Sequence, residues 1–288
     1  MELFRALAVL AEPPADETAR VAEALGLGAL PGAEEYTELF VFELYPYASV
    51  YVGREGMLGG EARDRVCGFW RALGQVPPAE ADHLAVMLAL YARLCDLEEG
   101  EGDEAGRAGW RGARRAFLWE HLLSWLPVYL VKLAEIATPF YQGWGEVLMK
   151  ALLAEIEAVG GQDVLPLHLR EAGGLSDPRE NDTGGEFWPS LLAPARSGMI
   201  LTRADLKRAG RATGCGVRLG ERKFVLKSLA AQDARGTLGW LVEEAAAWEK
   251  RHRAFEKTLG AVADAWAAKA AASATLLAEL KLEASKVI

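Results

Sequence analysis

Residues 117–141 read FLWEHLLSWLPVYLVKLAEIATPFY, and this aromatic-rich stretch decides the fold. Phe117, His121 and Trp125 are four residues apart, a spacing that puts their side chains on one face of an α-helix. Proline fits at the first position of a helix but not inside one, so Pro127 predicts that a second helix begins there. We therefore predict two consecutive helices that meet at this proline.

The aromatic side chains of this stretch have two interpretations. They form the core of a helical bundle, or they form part of a recognition surface, because aromatic groups supply large contact areas at low conformational cost. We expect most of them to lie in the core. One helix cannot bury every sector of its surface, however, and we expect His121 and Trp125 to be partly exposed and to contact a partner.

The rest of the chain has the composition of an all-α protein. Ala, Leu, Glu and Arg dominate, and β-branched residues are scarce. Hydrophobic residues make up 51% of the 288 residues, which excludes global disorder. No apolar run reaches the roughly 20 residues of a membrane span, and the N-terminus lacks a signal-peptide pattern. Three dispersed cysteines without a C-x-x-C pair indicate neither a disulfide framework nor a zinc site, and favour a reducing cytoplasm.

Glycine and proline divide the chain into three parts. Residues 160–187 contain clustered Gly and Pro, which is typical of a domain boundary. We predict a helical domain over residues 1–159, a connector over 160–187, and a C-terminal helical extension over 188–288. The extension contains a basic segment at 196–235, followed by a long tail helix or a broken pair of helices over 238–280.

The charge distribution is uneven and leaves an alternative function open. The net charge is −9, but residues 1–195 carry 31 acids against 15 bases, whereas residues 196–235 carry 10 bases against three acids. The basic segment could bind nucleic acid as a helix-turn-helix, with Arg203 and Lys207 facing phosphates. Phe224 is its only aromatic residue, which favours docking on the acidic body instead.

Motifs for catalysis or for metal and nucleotide binding are weak. Asp82 and His83 are adjacent, so on a helix they point about 100° apart and do not pair for acid–base work. An acidic first turn beside a surface histidine is the simpler interpretation. The four histidines lack metal-ligand spacing, and the loop GREGMLGG at 53–60 lacks the P-loop pattern and is better explained as a connector. We predict no enzymatic activity, no metal and no cofactor.

Three blocks of sequence resemble one known family. They are YPYASVYVGREGMLGGEARDRVCGFWRALG at 45–74, EADH at 80–83, and the stretch 117–141 quoted above. Together they are similar to the TorD/DmsD/NarJ family of redox-enzyme maturation chaperones. The second block resembles its E-P-x-D-H loop, with Ala81 where proline is usual, and the third its H-L-x-x-W-x-P helix pair. The likeness spans roughly residues 35–158, and residues 188–288 extend past it.

The resemblance implies an all-helical cytoplasmic chaperone for molybdenum-cofactor enzymes. Members bind the twin-arginine signal peptide, or a related N-terminal segment, of the apo-enzyme before export. The partner would be an apo molybdopterin-dependent oxidoreductase, and the long tail leaves a homodimer open. The Ala81 departure predicts a looser loop. By motif match, the peptide-binding residues would be Glu80, Asp82, His83, His121, Trp125, Pro127, Trp70 and Tyr129.

Overall fold

The structure, a computed structural model, describes residues 2–162, 164–180 and 185–284. Seventeen α-helices account for most of them, which confirms the predicted all-α class. The β pairing found among the described residues is one isolated antiparallel bridge between Tyr47 and His83. None of the described helices combines the length and the apolar composition that a membrane-spanning segment requires.

The chain divides into two compact units, of which the first comprises Met1–Ser49 and Leu58–Leu167. Its principal helices are α1 Glu2–Val9, α2 Ala19–Ala24, α3 Ala33–Tyr36, α4 Ala48–Val52, α5 Gly60–Ala72, α6 Leu84–Gly100, α7 Glu104–Phe117, α8 Leu126–Ile136 and α9 Pro139–Val159. A 3₁₀ turn at Asp16–Thr18 and π-helical turns at Thr37–Glu43 and Leu118–Leu122 complete this series. The end of α4 belongs to the second unit.

Proline and aromatic residues organise the first unit. Pro127 lies in the first turn of α8, as predicted, because the proline's missing N–H has no partner in a first turn anyway. Pro139 begins α9 in the same way. The indole of Trp144, which is buried on α9, donates to the carbonyl oxygen of Leu7 at 3.1 Å and so joins the two ends of this unit.

A buried ion network joins α6, α7 and α9. The Arg114 guanidinium donates to Glu98 at 2.9 Å and to Glu155, and the Tyr91 hydroxyl also donates to Glu155. Burial and the hydrogen bond to Glu155 raise the pKa of Tyr91. Six acids within residues 96–104 are typical of a solvated loop, but only residues 101–103 of that stretch lie outside α6 and α7. Helix α6 continues to Gly100 because Glu98 turns inward to Arg114.

The second unit comprises Val50–Met57 and His168–Ile288. Its helices are α10 Leu167–Glu171, α11 Phe187–Leu192, α12 Pro194–Ser197, α13 Arg203–Thr213, α14 Arg222–Gln232, α15 Ala234–Arg253, α16 Glu256–Leu259 and α17 Ala261–Ala284. The stretch predicted as a connector thus contains α10 and the start of α11, while its residues 163 and 181–184 lie outside the described residues. Inclusion of Val50–Met57 in this unit was not indicated by the sequence.

Helices α15 and α17 form a hairpin, so the tail is a broken pair rather than one long helix. His252 is buried within it, stacked on Trp248 with ring centroids 5.3 Å apart and lying 5.7 Å from the ring of Trp266. Its Nε2 makes a 2.8 Å hydrogen bond with the carbonyl oxygen of Gly198. Burial lowers the pKa of His252 to about 4, which keeps the imidazole neutral at pH 7.

Candidate functional site

The loop before α6 is held in place by its backbone. Ala48 N donates to the carbonyl oxygen of Asp82 at 3.0 Å, and Leu84 N donates to that of Pro46 at 2.8 Å. Ala81 is fully buried between these bonds. The looser loop predicted from Ala81 is therefore not observed, because main-chain pairing with residues 46–48 supplies the constraint that a proline would add.

Asp82 faces inward and supports this pairing. It is 2% exposed, and its carboxylate accepts a hydrogen bond from the buried backbone N–H of Ser49 at 3.2 Å. The sequence pattern suggested that Glu80 and Asp82 occupy the first turn of the helix, but α6 begins only at Leu84. Asp82 thus fixes the loop before α6 against the first turn of α4 and accepts a free N–H there, rather than serving the first turn of α6.

His83 caps α6 and is buried, which corrects the interpretation of a surface histidine. Its Nδ1 accepts a hydrogen bond from Ala85 N at 3.2 Å, and its ring meets that of Tyr47 edge-on at 4.9 Å. Burial lowers the pKa of His83, against the opposing effects of Glu12, Glu80 and Asp82. At neutral pH the imidazole is therefore the neutral acceptor that the cap requires.

Two tyrosines and two exposed glutamates surround this histidine. Burial, with Glu80 as the next influence, raises the pKa of Tyr47 to about 12. Burial, followed by Glu12 and Glu80, raises the pKa of Tyr36 to the same value. The hydroxyls therefore stay protonated, and the negative charge here belongs to the carboxylates. We call Glu12, Tyr36, Tyr47, Glu80 and His83 the acidic-aromatic surface.

A cleft of about 300 Å³ lies beside this surface in the same unit. The ring of Phe40 links the two, because its centroid lies 5.1 Å from that of Tyr36 and 4.9 Å from that of Tyr141. We call this cavity the acidic cleft, and it is lined by Glu34, Glu35, Glu38, Leu39, Glu43, Ile136, Ala137, Thr138 and Tyr141. Carboxylates thus surround an apolar floor, an arrangement that suits a cationic group followed by an apolar side chain.

The acidic cleft was missed by the sequence analysis. Glu34, Glu35 and Glu38 share one helical face, and that spacing was an available signal. The opposite wall comes from residues 136–141, about a hundred positions later in the chain. No local pattern shows that these two segments meet.

The predicted exposure of Trp125 and His121 is wrong. Trp125 is 0% exposed, its Nε1 donates to the His121 carbonyl at 2.8 Å, and its ring packs edge-on against Tyr129. His121 lies in the core beside Phe117 and Phe69, with ring centroids 5.2 and 5.6 Å away. Phe117 and His121 remain neighbours across the π-helical turn at residues 118–122, whereas Trp125 lies past it as the residue before α8, so the three side chains do not form one exposed face.

The other predicted site residues are distributed between surface and core. Pro127 and Tyr129 are buried, and the Tyr129 hydroxyl donates to the carbonyl oxygen of Leu44 at 3.4 Å. Trp70 on α5 is half-buried, and Glu80 is exposed. Of the eight predicted residues, the structure brings Glu80, Asp82 and His83 together directly, beside Tyr47.

The arrangement defines a class of protein. In the part of the chain that the structure describes, no group of His, Cys, Asp and Glu could hold a metal ion. The most developed site is instead an open surface of carboxylates, tyrosines and aliphatic groups. Carboxylates accept bidentate hydrogen bonds from guanidinium, and tyrosine faces attract cations. Fold and site together are those of an all-α protein with an open surface whose chemistry can accept a basic, partly apolar segment.

Comparison with known proteins finds a matching family and several relatives. Residues 10–130 match the family described as nitrate reductase delta subunit. The chaperone protein TorD of Shewanella pealeana is 34% identical over 152 residues, covering 46% of this chain and 64% of that protein. The TorD of Shewanella amazonensis is 28% identical over 142 residues, covering 40% of this chain and 56% of that protein. The TorD of Vibrio vulnificus strain YJ016 is 34% identical over 98 residues, covering 31% of this chain and 44% of that protein.

These matches confirm the predicted resemblance to the TorD/DmsD/NarJ family. The relatives are named as chaperones and not as enzymes, as the sequence analysis expected. The chain spans about half the length of the curated relatives it matches. No solved structure shows a significant match.

Proposed function

We propose that this chain is a cytoplasmic maturation chaperone that binds the N-terminal, twin-arginine signal segment of an apo molybdoenzyme before export or assembly. The observation that carries the proposal is the continuity of the acidic-aromatic surface with the acidic cleft, through the ring contacts of Phe40 with Tyr36 and Tyr141. The similarity to proteins named as TorD chaperones supports the same role.

The proposed binding mode follows from the chemistry of the two features. The arginines of the segment would face Glu80, Glu12 and the glutamates of the cleft, where guanidinium groups meet carboxylates in the presence of tyrosine faces. The apolar residues that follow would lie on the floor around Leu39 and Tyr141. Val41 and Phe42, which are exposed on the same π-helical turn, extend the apolar area.

The predicted site residues take two roles in this proposal. Glu80 would contact the segment, and the buried His83 would act as a positioning residue through its cap of α6. Asp82 would act as a positioning residue through Ser49. The buried residues His121, Trp125, Pro127 and Tyr129 would support the surface from the core without touching the peptide.

A calorimetric titration with a synthetic segment tests the proposal. The peptide carries two adjacent arginines followed by a run of apolar residues, and it is titrated into the full chain. The Glu35→Gln/Glu38→Gln variant should bind about three- to tenfold more weakly, because each partly exposed ion pair contributes up to about 1 kcal/mol. The weakening should shrink as salt is added.

A matched variant separates local contact from general attraction. Glu99→Gln/Glu104→Gln removes the same charge from exposed positions on α6 and α7. It should bind within about twofold of the unaltered chain at physiological salt, since charges beyond a Debye length are screened. Equal weakening by both variants would show that only net charge matters, and the assignment of the cleft would be wrong.

A further inference from the structure

The loop between α13 and α14 exposes apolar side chains at its tip. Leu219 is 97% exposed, Phe224 47% and Val217 41%. Single exposed apolar residues are common, but three within eight residues, two on the loop and Phe224 in the first turn of α14, form a concentrated patch. We call Val217, Arg218, Leu219, Lys223 and Phe224 the basic loop tip.

The base of this loop is firmly held. The side-chain amide of Gln232 accepts from Gly216 N and donates to Gly216 O, both at 2.9 Å. Arg222 Nη1 donates to the carbonyl oxygen of Leu201 at 2.7 Å. The Phe224 ring lies against the backbone of Gly220, where an added Cβ would be 2.8 Å from the ring. Leu219 is therefore exposed on a loop whose base is held by hydrogen bonds.

Positive charge surrounds the tip. Residues 203–227 contain eight Lys and Arg against two acids, and one of those acids, Asp205, is buried in the capping box with Thr202. On α13, Arg203, Lys207 and Arg211 follow one another at four-residue steps and are exposed. Arg218 precedes Leu219 in the sequence, and Lys223 follows it by four residues. Both are exposed as well.

We propose that the basic loop tip docks on an anionic lipid surface, with Leu219 and Phe224 entering the interfacial layer and the neighbouring cations facing the headgroups. Apolar side chains combined with adjacent Lys and Arg are the pair of features that binds a protein to such a surface. The proposal concerns a different unit from the peptide site and does not depend on it.

The apolar tip distinguishes this partner from nucleic acid. Binding of a phosphate backbone requires the cations but has no use for a fully exposed leucine. A lipid surface uses both, because apolar area and positive charge contribute together to interfacial binding. If residues 196–235 bind nucleic acid, that binding should depend on cations such as Arg218 and Lys223 and should not depend on Leu219.

Vesicle flotation of the full chain tests the proposal. Vesicles of phosphatidylcholine alone are compared with vesicles that also contain about 30% phosphatidylglycerol, a strongly anionic surface. The chain should bind the second kind and not the first. Leu219→Ser/Phe224→Ser should weaken binding at least about tenfold, and Arg218→Gln/Lys223→Gln about 25-fold, at about fivefold for each cation.

Val76→Ser is the matched control. Val76 is 89% exposed on a loop of the first unit, so the change removes a comparable exposed side chain from a place outside the tip. It should bind anionic vesicles like the unaltered chain. Because all substituted positions are exposed, circular dichroism should show unchanged helicity in every variant. Binding of the basic peptide should also be unchanged in the tip variants.

Three results would overturn the proposal. The first is no flotation with anionic vesicles, and the second is flotation that Leu219→Ser/Phe224→Ser leaves intact. The third is a gel shift of duplex DNA that disappears in Arg218→Gln/Lys223→Gln but persists in the apolar variant. That result would assign the cations to nucleic acid.

Discussion

Replacement of Asp82 separates the support of the site from its contacts. The carboxylate is buried, and it accepts a hydrogen bond from the backbone N–H of Ser49. Ser49 is fully buried as well. Asp82→Ala leaves that donor without a partner, which costs about 2 kcal/mol. Asp82→Asn keeps an acceptor oxygen in the same place, so we expect a loss of only about 1 kcal/mol.

Urea unfolding followed by circular dichroism measures the stability difference. With a slope of about 2 kcal/mol per molar urea, Asp82→Ala should shift the midpoint of the affected transition by roughly 1 M, and Asp82→Asn by about half of that. The chain has two compact units, so the shift should fall on the transition that belongs to the first unit.

Peptide titration on the same two variants then tests the role assigned to Asp82. Under conditions where both are folded, Asp82→Asn should bind the basic segment within about threefold of the unaltered chain, because a buried carboxylate adds only longer-range attraction. Asp82→Ala should bind more weakly, since Tyr47 and His83 lose their support. If Asp82→Asn lost binding as fully as Asp82→Ala while keeping its stability, the carboxylate would contact the partner directly, and the reasoning would be refuted.

Two further predictions concern the second unit. Because burial lowers the pKa of His252 from 6.5 to about 4, the unfolded chain takes up a proton first as the pH falls. The free energy of unfolding should therefore be highest above about pH 6.5 and fall by about 2 kcal/mol between pH 7 and pH 5, levelling off below pH 4. Urea midpoints across this range measure the fall, and His252→Gln should abolish it. Gly198→Ala should lower the melting temperature far more than Gly214→Ala. Both glycines have positive φ, +74° and +69°, but only at Gly198 would the new Cβ lie 2.3 Å from a backbone atom of α17. Similar losses in the two variants would show that backbone conformation alone, and not the close approach, is decisive.

Local rules were sufficient for much of the fold. The scarcity of β-branched residues predicted the all-α class, and Pro127 predicted the start of α8. Thr202 and Asp205 have the three-residue spacing of a reciprocal helix cap, and both hydrogen bonds of that cap are present at the start of α13. These features depend on residues within a few positions of each other, where spacing is informative.

The site depended on contacts that spacing does not reveal. The loop at 80–84 is positioned by backbone pairing with residues 46–49, and the acidic cleft joins two segments about a hundred residues apart. Trp125 lies between the π-helical turn at 118–122 and α8, where its indole is buried against His121 and Tyr129. Family resemblance predicted Glu80, Asp82 and His83 as peptide-binding residues. The structure adds that Asp82 and His83 face inward.

Cross-linking from the peptide tests the central claim most directly. A photoreactive group is placed beside the paired arginines of the synthetic segment, the segment is bound to the full chain, and cross-linked residues are mapped by mass spectrometry. We expect attachment at Glu12 and within residues 34–47, 80–83 and 136–141, which contain the acidic cleft and the acidic-aromatic surface. Attachment concentrated in residues 203–232, or cross-linking that persists when both arginines are replaced by glutamine, would contradict it.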